Sequence, residues 1–249
     1  MKLTVLGSDG SWPGAGGATS GYLVQHEGFS LWLDAGTGTM AKLQEYVDIS
    51  DVDAVAISHG HADHYVDLYS LFVARFYGGL GDDRLPVYVP AGVWSEIEAS
   101  SSEHSRNAMR EAFAIGELEP GETFEAGPIH IETQPMTHFG PALGFRLGAG
   151  DAVLAYTGDT GPTGEIDAIA RGAEVFLAEA TWQDDSELLD FHLSARQAAE
   201  YAARAGVRTL VLTHVWPSLD AEVSLAQAKE AFDGEILLAE QGMQLEVGP

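Results

Sequence analysis

The sequence Ser58-His59-Gly60-His61-Ala62-Asp63-His64 places three imidazoles and one carboxylate within six residues. It directly follows an apolar run, residues 52–57, whose composition is typical of a buried strand. Four groups of this kind crowded together without a cation would leave polar atoms unpaired or repelling one another. The stretch therefore predicts a metal site at the end of a strand.

The spacing within this stretch suits two ions rather than one. His59 and His61 alternate by two, so on an extended strand end both rings point to the same side. Asp63 and His64 follow after the backbone turns, and we expect them to face a second metal beside the first.

The rest of the chain supplies further ligands in His138, Asp159 and His214, and the last two each close a short apolar run. Ligands held at strand ends suit a preorganised metal site. The seven side chains are enough for two divalent ions if Asp159 bridges them. Imidazole-rich ligation favours Zn²⁺, with Mn²⁺ and Fe²⁺ as alternatives.

This pattern resembles the metallo-β-lactamase superfamily, and within it the ribonuclease Z-like branch. Similarity to that branch continues in Val5-Leu6-Gly7-Ser8 with Gly10, Ser11 and Pro13, in Leu33-Asp34-Ala35-Gly36-Thr37-Gly38, in Glu179-Ala180-Thr181 and in His192-Leu193-Ser194-Ala195. Periodicity alone indicates only a mixed α/β domain. The resemblance implies a four-layer αββα sandwich, formed by a single hydrolase domain over residues 1–249.

The resemblance also assigns roles to the ligands. It implies one metal on His59, His61 and His138, another on Asp63, His64 and His214, and Asp159 as the bridge between them. Asp63 would in addition orient the bridging hydroxide as a catalytic residue.

A catalytic acid is the second role that the resemblance implies. His192 would contact the phosphate and help to protonate the leaving oxygen, and Glu179 would orient it, as a general acid requires. The alternative is that Glu179 and His192 form a buried structural pair. Asp34 either supports a metal-bound His, as carboxylates commonly do, or only fixes the turn at residues 36–38.

Composition limits the partners of this chain. The formal charge of −26 repels nucleic acid, whose binding depends on Lys and Arg. A small anion can still be held locally, because two divalent ions outweigh the charge of their ligands. The absence of cysteine excludes disulfides and thiolate ligands. With no visible signal peptide and no apolar run of ~20 residues, we expect a soluble cytoplasmic protein without a membrane partner.

Helical periodicity predicts the helices of the chain, at residues 39–46, 65–76, 92–114, 163–171, 194–205 and 225–232. The third is interrupted by a polar stretch in which His104 is expected on a solvated loop, with a ligand as the alternative. A lid is a further role that stays open for this segment. The Gly-rich loop of residues 7–19 either lines the wall of the site or cradles a phosphate. His26 and His130 are expected to be ordinary surface residues.

The substrate is predicted from what the chain lacks. Ribonuclease Z carries a tRNA-clamping arm between the counterparts of His138 and Asp159, where this chain has only twenty residues. Short bacterial members without the arm are cyclic-nucleotide phosphodiesterases, and they resemble this chain at Gly158-Asp159-Thr160-Gly161 and His192-Leu193-Ser194. The resemblance therefore implies a metal-dependent phosphodiesterase that cleaves small phosphodiesters, above all 3′,5′-cyclic nucleotides, by attack of a metal-activated hydroxide.

Three other functions stay open at this point. The first is RNA 3′-end processing or exonuclease activity, and the second is a lactonase or thioesterase. The third is a metal-bound sensor without turnover. Since dimers are common in this branch, the resemblance also admits a homodimer.

Overall fold

The computed structural model describes residues 1–81, 83–184 and 189–248; the other six residues of the predicted domain lie outside that part. Two seven-stranded sheets pack face to face in it. The first sheet contains β1 (Lys2–Gly7), β2 (Gly21–His26), β3 (Phe29–Ala35), β4 (Ala54–Ala56), β5 (Leu85–Pro90), β6 (Phe113–Leu118) and, beside β1, β14 (Gln244–Glu246). The second contains β7 (Thr123–Ala126), β8 (Ile129–Pro135), β9 (Leu143–Ala149), β10 (Ala152–Tyr156), β11 (Val175–Glu179), β12 (Thr209–Thr213) and β13 (Glu235–Leu238).

Helices cover the outer faces of both sheets, which confirms the four-layer αββα sandwich. They are α1 (Thr39–Leu43), α2 (Ala62–Tyr65), α3 (Leu68–Phe76), α4 (Val93–Ala99), α5 (Glu103–Ala112), α6 (Glu165–Ala170), α7 (Ala195–Ala205) and α8 (Ala221–Lys229). At α7, Ser194 forms a capping box with Gln197, which stabilises the first turn.

Two expectations for the segment after β5 are wrong. His104 lies in the first turn of α5 rather than on a loop, because Ser102 accepts a hydrogen bond from the Ser105 amide and begins a new helix there. The helix also stops at Ala112, and the next six residues form β6, which pairs in parallel with β5.

The side chains of β3 point alternately into two different apolar layers of the sandwich. Leu31 and Leu33 point into the apolar layer between the two sheets, whereas Trp32 points into the layer between the first sheet and its helices. All three are fully buried, and burial of one such side chain contributes roughly 1.5–3 kcal/mol. A third apolar layer lies between the second sheet and helices α6, α7 and α8.

Parallel pairing positions the predicted ligands. Strands β3 to β6 run parallel, as do β10 to β13, so the loops that follow them meet at shared edges. Two isolated bridges, His59 with Ala142 and Thr137 with Gly161, join the connection between β8 and β9 to the loops after β4 and β10. Within the described part of the chain, no helix is long and apolar enough to cross a membrane.

Candidate metal centre

The seven predicted ligands all lie beyond the ends of strands. His59 and His61 are on the loop after β4, and His61 precedes α2 with an extended backbone. Asp63 and His64 lie in α2, and their ligand atoms group with those of Asp159 and His214. The remaining three, His138, Asp159 and His214, follow β8, β10 and β12.

The structure brings these side chains together as two groups that share one carboxylate. Ligand atoms of His59, His61, His138 and Asp159 lie within 4.8 Å of one another, and so do those of Asp63, His64, Asp159 and His214. Asp159 Oδ1 is 3.2 Å from His64 Nε2, and Asp159 Oδ2 is 3.8 Å from both His59 Nε2 and His138 Nε2. The grouping matches the division that the resemblance implies, while the ligand roles themselves stay a prediction.

Four imidazoles are fixed through Nδ1, which leaves Nε2 directed at Asp159. The partners of Nδ1 are Ser58 Oγ for His59 (3.1 Å), Asp34 Oδ2 for His64 (2.7 Å), the Phe191 carbonyl for His138 (2.8 Å) and Thr181 Oγ1 for His214 (2.8 Å). Where Nδ1–H donates in this arrangement, Nε2 can present its lone pair to the centre. A metal ion requires the neutral form of the ring. Burial lowers the pKa of His64, but the carboxylates of Asp159, Asp63 and Asp34 raise it well above its ordinary value, so metal binding there must displace a proton.

Unpaired atoms at the centre provide a test of whether a metal fits. Among the described residues, His59 Nε2 is buried and has no hydrogen-bond partner, and the buried atoms His64 Nε2 and Asp159 Oδ1 have only their mutual contact at 3.2 Å. A buried polar atom without a partner costs about 1–3 kcal/mol. Nitrogen and oxygen ligands that converge on one point remove this cost when they bind a cation, so the donor set fits divalent metal.

Charge at the centre supports the same conclusion. Burial opposes ionisation of Asp159, but the imidazoles of His214 and His64 hold the pKa of its carboxyl well below the usual range. Burial lowers the pKa of His59 well below its ordinary value, and neighbouring His64 adds to this effect. The bridging candidate is therefore anionic and His59 is neutral at physiological pH.

Asp34 contacts His64 rather than serving only the turn that follows it. The buried carboxylate accepts hydrogen bonds from the Ser58 amide (2.6 Å), Ser58 Oγ (2.7 Å), Tyr156 Oη (2.6 Å) and His64 Nδ1 (2.7 Å). Its backbone is left-handed, with a φ of 55°, a conformation that few residues other than Gly, Asn and Asp adopt readily. The geometry supports the first of the two predicted roles.

Glu179 and His192 form a buried pair beside the second group. Glu179 Oε1 lies 2.8 Å from His192 Nδ1 and also accepts a hydrogen bond from the Thr160 amide. Burial opposes protonation of His192, but the charge of Glu179 and their hydrogen bond raise its pKa to about 9. His192 Nδ1 is 4.0 Å from Asp159 Oδ2, and its ring stacks on that of His214 at 5.6 Å. The pair therefore borders the centre, and together with His214 it forms a third cluster with metal-binding chemistry.

The Gly-rich loop and the turn after β3 lie close to the centre. The Ser11 amide is 3.4 Å from His214 Nε2, which places this loop at the wall of the site, as one interpretation predicts. A Cβ at Gly36 would lie 2.0 Å from the Asp63 carbonyl oxygen, so only glycine permits this approach. His130, expected to be an ordinary surface residue, lies away from the centre and pairs with exposed Glu125.

Apart from Asp34 and Glu179, the sequence did not reveal which residues hold the imidazoles. The Glu-Ala-Thr motif, which contains Thr181, and the position of Ser58 next to His59 are sequence features that point to these two residues as partners. No sequence feature points to Tyr156, because it contacts Asp34 across 122 positions of sequence.

Comparison with known proteins agrees with this geometry. The family model described as the beta-lactamase superfamily domain matches residues 30–215. A Mycobacterium tuberculosis protein named as uncharacterized is 35% identical over 242 residues, which cover 95% of this chain and 88% of that protein. The probable metallo-hydrolase YhfI of Bacillus subtilis is 31% identical over 251 residues, covering 97% of this chain and 98% of YhfI.

Solved structures show the same relationship. The crystal structure of YhfI, described as a metallo-β-lactamase fold protein, has a TM-score of 0.89 at 28% identity and covers 98% of this chain and 99% of its own. Human short-form tRNase Z has a TM-score of 0.78 over the whole of both chains at 21% identity, a likeness of fold alone. This chain therefore belongs to the metallo-β-lactamase superfamily and is a metallo-hydrolase.

Proposed function

We propose that this protein is a phosphodiesterase that hydrolyses small phosphodiesters, 3′,5′-cyclic nucleotides foremost. The observation that carries the proposal is the contact of 2.8 Å between His192 and Glu179 beside a centre of converging Nε2 atoms. A metal centre alone is compatible with acyl or phosphoryl transfer. A protonated imidazole next to it suits a reaction in which an alkoxide must leave.

The two groups described above would hold two divalent ions, with Asp159 common to both. Zn²⁺ is the metal that the His-rich set favours, and Mn²⁺ or Fe²⁺ are the alternatives. When bound, such a pair supplies a water nucleophile at neutral pH and offsets negative charge on the phosphoryl oxygens. Asp63, at the more exposed side of the second group, would accept a hydrogen bond from the attacking water and orient it.

His192 would act as the general acid. With Nδ1 committed to Glu179, its free Nε2–H can donate to a phosphate oxygen and then protonate the leaving oxygen. In the metal-free centre, Glu179 raises the pKa of the ring to about 9 against the effect of burial, which favours the protonated form that a general acid needs. The same charge would offset part of the repulsion between the acidic protein and an anionic substrate.

Two features favour small substrates over RNA. The segment between His138 and Asp159 is occupied by the hairpin β9–β10 and its connections, which leaves no length for an arm. The charge of −26 supplies few cations for phosphate contacts along a folded RNA. The partner would therefore be a small molecule, and a homodimer stays a prediction.

A substrate panel tests this proposal. The metal-loaded protein would be given cyclic AMP, a tRNA precursor and a lactone in one buffer, with metal content checked by elemental analysis. We expect a higher kcat/KM for cyclic AMP than for the other two. Trimming of the precursor without cyclic-nucleotide turnover would favour the ribonuclease, and lactone hydrolysis alone would favour acyl chemistry. No turnover of any substrate would favour a sensor.

A further inference from the structure

Six aromatic rings form a continuous arc along the edge of the candidate centre. Consecutive ring centroids lie 4.4–5.6 Å apart in the order Trp12, Trp216, Trp182, His192, Phe191 and Phe139. The middle of this aromatic arc is buried at Trp182 and His192, whereas its two ends, Trp12 and Phe139, are exposed. The arc thus leads from the proposed acid to solvent in two directions.

The Phe139 end lies next to one of the proposed metal ligands and next to the proposed acid. Phe139 follows His138 and Phe191 precedes His192, and their rings lie 6.0 Å and 5.3 Å from those imidazoles. The Phe191 carbonyl accepts the hydrogen bond from His138 Nδ1, which links the two loops. The two phenyl rings are therefore held in place by the same contacts that fix the centre.

The Phe139 ring is exposed to an unusual degree for a side chain so close to a polar centre, at 62%. Its ring centroid lies 4.4 Å from that of Phe191, with the two rings tilted at 48°. Trp12, at the other end, is 42% exposed, and two further indoles separate it from His192. An unpaired aromatic face near the reacting groups is therefore found at Phe139.

We propose that Phe139, supported by Phe191, is the platform on which the base of the substrate stacks, so that it determines specificity for nucleotides. This inference rests on the proposed phosphodiesterase function. In a cyclic nucleotide one sugar separates the phosphate from the base, so a phosphate beside His138 and His192 places the base over the neighbouring phenyl rings. Stacking also provides affinity that an acidic surface cannot obtain from phosphate contacts, and it accepts any base.

The test compares two substrates that differ only in the base. One is cyclic AMP, and the other is the 3′,5′-cyclic phosphate of methyl riboside, which has the same phosphodiester without a base. In Phe139→Ala the preference for cyclic AMP, as a ratio of kcat/KM values, should fall about 5- to 30-fold, within the range that removal of a stacking ring produces. Phe139→Trp should restore the preference, and metal content should stay unchanged in both variants.

Phe76→Ala is the matched control, since it removes a partly exposed phenyl ring from α3 and should leave the ratio unchanged. A second measurement does not depend on turnover. In saturation-transfer NMR with AMP and metal-free protein, the adenine protons should receive saturation from the wild type and much less from Phe139→Ala.

The outcomes separate the two proposals. If the wild type hydrolyses both substrates and Phe139→Ala leaves their ratio unchanged, the platform is wrong while the phosphodiesterase stands. A loss of preference in Trp12→Ala instead would place the base at the opposite end of the aromatic arc and also overturn the inference. If the wild type hydrolyses neither substrate, the proposed function fails and the inference fails with it.

Discussion

Asp34→Asn tests whether a buried carboxylate positions the candidate centre. In the wild type, Asp34 Oδ1 accepts from the Ser58 amide, and Oδ2 accepts from three donors that include His64 Nδ1. An asparagine has only one oxygen. If that oxygen replaces Oδ2, the new NH₂ group faces the Ser58 amide at 2.6 Å, donor against donor. In the opposite orientation three donors lose their acceptor, so the first is the less costly choice.

The expected loss of stability follows from that orientation of the asparagine amide. One buried donor without an acceptor costs about 1–3 kcal/mol, and each kcal/mol lowers Tm by ~2–4 °C in a chain of this size. No further backbone strain arises at the φ of 55°, because Asn tolerates the left-handed region as Asp does. Loss of the negative charge next to His64 should weaken metal binding about 10- to 100-fold, as observed when an outer carboxylate partner is removed.

Two assays measure these effects. Thermal unfolding of the metal-free variant reports stability, and competition with a chromophoric chelator reports metal affinity. Asp53→Asn is the matched control, because Asp53 also accepts a hydrogen bond from a backbone amide, Ser30, but has no imidazole partner. It should leave metal affinity unchanged. Wild-type affinity in Asp34→Asn would refute the role of this carboxylate at His64.

Two further substitutions separate the proposed ligands from the proposed acid. Asp159→Ala should lose most of the bound metal, because its carboxylate belongs to both groups; elemental analysis that still finds two metals per chain would exclude it as the bridge. His192→Ala should keep its metals and fold while turnover falls ~10²–10⁴-fold, the contribution of a positioned acid. Metal loss in that variant would make His192 a ligand, and unchanged turnover would favour a structural pair with Glu179.

The sequence was most informative where chemistry is dense and local. Four of the seven predicted ligands lie between His59 and His64. The side-chain period of a strand predicts that His59 and His61 point to one side, and the turn that follows predicts a different direction for Asp63 and His64. Asp159 and His214 could be identified because each follows a short apolar strand. Burial on both faces makes such strands easy to recognise, even without an alternating pattern.

Partners distant in sequence could not be predicted in the same way. Tyr156 reaches Asp34, and Thr181 reaches His214, only because the two sheets and their loops meet at one edge. The strand β6 was missed for a different reason. Its residues alternate poorly between buried and half-buried positions, so the helical pattern of α5 seemed to continue to Ala114.

Backbone strain at the centre connects the fold to the proposed chemistry. Among the described non-glycine residues, only Ser11, Glu27, Asp34 and His214 have positive φ; His214 belongs to the centre, and Asp34 and Ser11 each contact one of its imidazoles. A left-handed residue of this kind costs on the order of 1–3 kcal/mol and persists only where its surroundings require it. At His214 the φ is 58°, its amide donates to the Ser8 carbonyl, and Thr181 holds the ring.

This strain has a geometric consequence for the second group. An extended residue after β12 would continue the strand and carry its side chain past Asp159. The left-handed turn instead ends the strand at Thr213, and His214 Nε2 comes to lie 3.3 Å from both Asp63 Oδ2 and Asp159 Oδ2. The hydrogen bonds to Ser8 and Thr181 fix this conformation before any ion binds, so the cost of ordering the imidazole is met during folding. A preorganised ligand of this kind favours tight metal binding. The wild-type protein should therefore retain its metal through purification, so a loss of metal in a variant can be measured by elemental analysis.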